Sequence, residues 1–216
     1  MCIRDRFNYY LKDIGDEPEP MVQIQTNDGR WHVEETWPPE DMTWDLQDIG
    51  TNWLITGSSV DGFGSSVTLV SEELSELTHI SGLPTLHLDV TTQSCQGGQI
   101  FATLYDNTDN LRLGHATMDV RYRDGGYDAK ATAPFTSYTM LMEFNPLDVV
   151  VPAGHTLRIE LTESGEDYLP SPCATNPLGG LDVDGGIIGL PIIDRPNSHE
   201  AWFFAPPWWD QQSIPE

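Results

Sequence analysis

Lysine is nearly absent: the 216 residues hold two, Lys12 and Lys130, and 10 basic side chains in all against 34 acidic ones. Binding a phosphate backbone needs clustered Lys and Arg, so a net charge of −24 excludes nucleic acid and anionic membrane surfaces as partners. Long hydrophobic runs are missing too. No apolar stretch approaches the roughly 20 residues of a bilayer-spanning helix, and no segment has the charged-then-apolar form of a signal peptide. Cysteine occurs three times, at Cys2, Cys95 and Cys173, with no C-x-x-C spacing. The histidines His32, His79, His87, His115, His155 and His199 form no i, i+2 pair in a strand and no i, i+4 pair on a helix. We therefore expect no metal and no cofactor. A serine nucleophile on an α/β scaffold needs the strained turn G-x-S-x-G. Gly57-Ser58-Ser59-Val60-Asp61 and Gly64-Ser65-Ser66-Val67-Thr68 both lack the second glycine. They read as polar loops, and no catalytic residue is expected in this chain.

What is present is an ordinary globular composition, 38% hydrophobic with 19 Gly and 16 Pro, in a chain long enough to bury a core unaided by staples. From Met21 onward apolar residues recur at period 2 in short runs bounded by Gly, Pro, Asn and Asp, the pattern of half-buried strands. The pattern predicts strands at Met21 to Thr26, Arg30 to Trp37, Asn52 to Thr56, Ser66 to Val70, Thr85 to Thr92, Gln99 to Tyr105, His115 to Arg123, Tyr138 to Phe144, Thr156 to Glu163 and His199 to Ala205. Leu86, Leu88 and Val90 should face a core while His87 and Asp89 face away. Asp106 to Asn110, DNTDN, reads as a hairpin loop because Asx side chains close local turns. Phe7 to Asp13 is the one helical stretch, with Phe7, Tyr10 and Leu11 on one side, and the acidic GDEPEP follows it. The fold expected is all-β: a two-sheet jelly-roll sandwich, preferred to a barrel because strand lengths are uneven and loops long.

Four further features carry weaker chemistry. Asp182-Val183-Asp184-Gly185 has the opening of a calcium loop without its later ligands, and reads as a turn. The 34 carboxylates are too many for any pair to stand out. Trp31, Trp37, Trp44, Trp53, Trp202, Trp208 and Trp209 could stack on sugar, fill the core or line an interface; large aromatics dominate the last two settings. Cys95 and Cys173 each sit in a turn-rich loop, SCQGG and SPCATNP, and either form a single bridge or remain two thiols. A bridge, with the acidic balance, would favour an extracellular or secreted location over a cytoplasmic one.

Several strings in order carry a resemblance: Phe7 to Lys12 (FNYYLK), Arg30-Trp31, Trp37-Pro38-Pro39, Ile80 to Val90 (ISGLPTLHLDV), Ile100 to Asp106 (IFATLYD), Leu113-Gly114-His115, Val120-Arg121-Tyr122, Phe144 to Asp148 (FNPLD), Val151 to Leu161 (VPAGHTLRIEL) and Leu190 to Ile193 (LPII). Together they resemble the C-terminal, non-catalytic domain of the X-Pro dipeptidyl-peptidase and cocaine-esterase family of serine hydrolases, over Phe7 to Ile193. The resemblance implies a galactose-binding-like jelly roll at residues 21–216, following an α/β-hydrolase domain that carries a Ser-Asp-His triad. It implies that residues 7–20 are the last helix of that domain plus a linker, although Asn8 and Asp13 depart from the family's W-F-D-x-x-L-K-G. Met1 to Arg6, MCIRDR, resembles translated sequencing-adaptor sequence. The partner so implied is the hydrolase domain of the same polypeptide, with a peptide or acyl substrate reached through it. Trp31, Trp37 and Trp202 are the residues expected to bury that junction. A free-standing carbohydrate-binding module is the alternative from another class, and a ligand-free structural domain a third.

Overall fold

In the segment Thr85 to Thr92, Leu86, Leu88 and Val90 are completely buried while His87 and Asp89 face solvent, the alternation a half-buried strand requires. A computed structural model describes residues 3–15, 22–29, 31–93, 97–124, 127–163, 165 and 180–194. In chain order the elements are a helix α1 (Ile3–Lys12) and strands β1 (Val22–Gln25), β2 (Trp31–Glu34), β3 (Thr43–Asp48), β4 (Trp53–Thr56), β5 (Ser59–Asp61), β6 (Val67–Ser71) and β7 (Thr78–Gly82). There follow β8 (Thr85–Thr92), β9 (Gln99–Asp106), β10 (Leu111–Asp119), a 3₁₀ turn at Val120–Tyr122, β11 (Ser137–Glu143), β12 (Leu147–Val151), β13 (Leu157–Thr162) and β14 (Gly180–Ile192).

The chain divides into two compact units, Met1–Glu40 falling in one and Asp41–Asp194 forming the other. In the first, β1 and β2 form an antiparallel hairpin, Val22 opposite Glu34. Helix α1 ends where Asp13 takes a left-handed backbone and donates its N–H to the Tyr9 carbonyl, a local cap that Asp tolerates better than most residues. Phe7, Tyr10, Leu11 and Ile14, spaced i, i+3, i+4, i+7, are all exposed.

The second unit is a sandwich of two antiparallel sheets. One runs β10-β9-β13-β6-β4 and the other β11-β8-β14-β7-β12, with β3 and β5 also pairing to β14. Their inner faces meet in one core: Leu86 and Leu88 from β8, Met140 and Met142 from β11, Ile100 and Leu104 from β9, and Leu69 from β6 are all fully buried. Each such side chain contributes about 1.5–3 kcal/mol by leaving water. The DNTDN hairpin is as expected: Leu111 pairs with Asp106, Asp106 Oδ1 accepts the Thr108 N–H at 3.1 Å, and Asn110 is left-handed.

Four expectations need correction. The strand beginning near His115 stops at Asp119, because the Asp119 carboxylate accepts the Arg121 N–H and caps a 3₁₀ turn that buries Val120. The Asp182-Val183-Asp184-Gly185 turn is the interior of β14, whose register against β8 shifts between Val183 and Gly185 in a β-bulge. Asp182 accepts from Gln93 at 2.8 Å and Asp184 from Thr91 at 2.7 Å, so the two carboxylates serve separate bonds. Ser59 opens strand β5 instead of lying in a loop. Strands β3, β7, β12 and β14 are additional to the expected set, whereas the expected strand His199 to Ala205 lies outside the described residues.

Candidate interaction surface

A sandwich has two outer faces, and here they differ in kind. On the five-stranded sheet the middle of the outer face is closed off by neighbouring side chains, while Leu54 on its edge strand β4 is exposed. Arg158 lies over the Tyr105 ring at 4.5 Å and pairs with Glu160 at 3.2 Å. Phe101 is buried, its ring 5.8 Å from that of His115 and so close to Gly165 that no larger residue would fit there.

The outer face of the other sheet is open, and among its polar residues it carries a group of exposed apolar ones. Register places Leu141 beside His87, His87 beside Ile187 and Ile187 beside Asp48 in one row across β11, β8, β14 and β3. Two residues along, Thr85 and Leu46 flank Gly189, and two further Trp44 stands opposite Pro191. Leu46 is 67% exposed, and Trp44, Ile187 and Leu141 are exposed as well. Gly189 is what lets the large side chains lie down: a Cβ there would stand 3.3 Å from both Trp44 and Leu46. Asp48, Asp89 and Glu143 sit at the margin of this patch, Asp89 accepting from Thr139 at 2.7 Å.

Beyond the edge strand β3 a cleft of about 420 Å³ is lined by Trp44, Asp45, Glu72, Glu73, Glu76 and Leu190, among others. No nucleophile arrangement lies in it. Ser71 Oγ donates to the Glu72 carbonyl and accepts the Leu157 N–H, a purely structural bond. Elsewhere Ser65 donates to Asp61 at 2.7 Å, and with the Phe63 and Ser65 N–H groups it holds that carboxyl below the usual carboxylate range, the hydroxyl being the main cause. Arg121 grips Asp119 with Nε and a terminal nitrogen, and this hydrogen-bonded partner raises its already high pKa. Arg121 and Arg158 thus both have acidic partners.

Two histidines are engaged with carboxylates. His79 Nε2 meets Asp148 at 2.6 Å, both buried, between β7 and β12. His155 Nδ1 meets Asp106 at 2.8 Å, with Asp109 close by. Sequence spacing gave no sign of either pair because the partners are 69 and 49 residues apart. The Asp106, Asp109 and His155 group could hold a cation in principle, yet Asp106 already accepts two backbone N–H groups and the imidazole.

Of the tryptophans expected at an interface, Trp37 is half-buried, the side chain of Trp31 is not described, and Trp202 lies outside the described residues. Cys95 and Cys173 lie outside them too. Trp53 is core, its indole N–H donating to Gln47 Oε1 at 2.7 Å. The exposed aromatic of the open face, Trp44, sits on a strand that period-2 patterning did not pick out.

A family model described as the X-Pro dipeptidyl-peptidase C-terminal non-catalytic domain matches residues 15–181. Among curated protein sequences none matches. Similar solved structures include an aminopeptidase from a marine sediment Thaumarchaeota archaeon, 15% identical with a TM-score of 0.65, covering 88% of this chain and 43% of its own. A CocE/NonD family hydrolase from Staphylococcus aureus is 13% identical with a TM-score of 0.63, covering 88% and 45%. An α-amino acid ester hydrolase is 15% identical with a TM-score of 0.64, covering 88% and 44%. The chain spans less than half the length of each of them.

Proposed function

The chain belongs to the family of X-Pro dipeptidyl-peptidase C-terminal non-catalytic domains, and we propose that it is the C-terminal part of a larger serine hydrolase, preceded in the same polypeptide by a catalytic α/β-hydrolase domain. That domain would release X-Pro dipeptides or cleave a related acyl ester. The observation that carries this reading is α1. Its apolar stripe of Phe7, Tyr10 and Leu11 is bare, and such a stripe is what a helix normally buries against a core. A helix taken from the end of a hydrolase domain would have that stripe.

In the whole enzyme a serine attacks the acyl carbonyl, a histidine takes the proton, and water resolves the acyl-enzyme. This chain's share is structural: a jelly-roll sandwich that packs on the catalytic domain, walls the substrate pocket and helps to exclude water from it. A carbohydrate-binding role would rest on Trp44 alone among the tryptophans whose side chains are described, since Trp37 is half-buried and Trp53 buried, and Tyr105 is covered by Arg158. Export from the cell is the location that suits a Cys95–Cys173 bridge, which alkylation of the unreduced protein would reveal.

The test is the coding sequence upstream in the same frame. About 250 codons, one hydrolase domain, should contain G-x-S-x-G. The 216-residue chain alone should hydrolyse neither X-Pro chromogenic amides nor aryl esters, and the longer polypeptide should. Turnover by the short chain that a serine-directed phosphonate abolishes would overturn the reading, as would selective retention on immobilised polysaccharide.

A further inference from the structure

Four exposed apolar side chains are gathered on the open sheet face, whereas on the other sheet the exposed Leu54 stands in a row with Val70 and Arg158. Leu141, Ile187, Leu46 and Trp44 come from three strands, β11, β14 and β3, and share one face with His87 and Thr85. At the usual strand spacing and rise the patch measures roughly 14 Å by 14 Å. Of the other exposed apolar residues, Phe63, Leu77 and Phe135 stand on separate loops, and Leu54 and Leu111 stand on the opposite edge strands β4 and β10, where isolated exposure needs no explanation. A group of three on adjoining strands, Trp44, Leu46 and Ile187, with Leu141 across His87, does. A chain of net charge −24 has little reason to leave one open on an otherwise acidic surface.

We infer that this face, centred on Leu46 and Ile187, is the surface on which the catalytic domain of the parent hydrolase docks, an inference that rests on the function proposed above. Two observations select that occupant. More than half of each similar chain lies outside the part this protein covers, and the family is the C-terminal one, so the partner precedes it in sequence. Asp48, Asp89 and Glu143 ring the patch, so the surface it fits is apolar with a basic fringe. Domain junctions within a chain cover about 600–1,500 Å², so the four apolar residues form the centre of the contact and the acidic ring its margin. The face places Trp44 of β3 at the junction.

Alkylation of introduced cysteines tests it. Leu46→Cys and Leu54→Cys lie on opposite sheets and begin from similar exposure, 67% and 71%. Peptide mass spectrometry would separate them from Cys2, Cys95 and Cys173. In the full-length polypeptide the Leu46→Cys site should alkylate at least ten-fold more slowly than in the 216-residue chain, while Leu54→Cys changes less than two-fold. Equal rates at Leu46→Cys in both proteins overturn the docking face, as does protection of Leu54→Cys instead. Slow reaction at Leu46→Cys already in the short chain also overturns it, because residues 195–216 or a second copy would then be the occupant. Should the variants misfold, hydroxyl-radical footprinting of Trp44, Leu46 and Leu54 in the unsubstituted proteins gives the same comparison. An upstream frame without a hydrolase domain would instead sink the functional reading itself.

Discussion

Two tryptophans ten positions apart or fewer, Trp44 and Trp53, show how little residue type alone decides. Trp53 is fully buried and bonded to Gln47, whereas Trp44 stands on an outer face. Replacing Trp53 by Ala should cost about 3–5 kcal/mol, while Trp44→Ala should cost less than about 1 kcal/mol in the 216-residue chain, as read from urea midpoints. Asp61 offers a pH test. Its carboxyl is held below the usual range chiefly by the Ser65 hydroxyl, so folding gains from its ionised form above about pH 4 and loses that gain as pH falls through the depressed folded value. Ser65→Ala should return the Asp61 carboxyl towards its ordinary value in a carbon-detected NMR titration. The stability difference between the two proteins should be present at neutral pH and vanish in acid. No shift of Asp61 in the variant would show that the backbone N–H groups alone hold it.

Among the elements, β14 carries the strongest local constraint. Gly186 has a positive φ, and a Cβ on it would come within 2.0 Å of the His87 carbonyl oxygen; Gly185 has a similar φ but open space around it. Gly186→Ala should therefore destabilise by roughly 2 kcal/mol or more and Gly185→Ala by clearly less, measured by denaturant unfolding of the pair. The same strand shows where sequence patterning succeeds and fails. β8 and β11 were legible because one face is core and the other wet, so Leu86-His87-Leu88 and Met140-Leu141-Met142 are bounded by ordinary alternation. β14 was hidden because Gly185-Gly186 and Pro191 look like turn formers. The structure uses the glycines in a bulge and sets Pro191 beyond Gly189, where β8 has ended. β3 was hidden for another reason: it is exposed along almost its whole length, and its apolar Trp44 and Leu46 point outward. The open face was thus unreadable from sequence, since it is assembled from strands brought together by register alone.

For the molecule as a whole the excess of 24 negative charges acts against compaction. Screening shortens the reach of that repulsion from about 30 Å at 0.01 M salt to 8 Å at 0.15 M. The melting temperature should rise by roughly 2–6 °C between low and half-molar NaCl, equivalent to about 1–2 kcal/mol for a chain of this size; a flat or falling curve would show that the acidic groups are already compensated locally. The pairing of β14 with β8, β3, β5 and β7 has a consequence in time. Thr43 and Ile192, joined side chain to carbonyl at 3.3 Å, are separated by 149 residues. During synthesis β3 and β5 emerge early and β14 emerges last of the described strands, so the sheet stands without its central member until the end. Pairings so distant in sequence form slowly. Through that interval β8 and β3 each offer an unpaired edge to any neighbouring strand, and the nascent chain's acidic surplus is then its principal protection against a wrong partner.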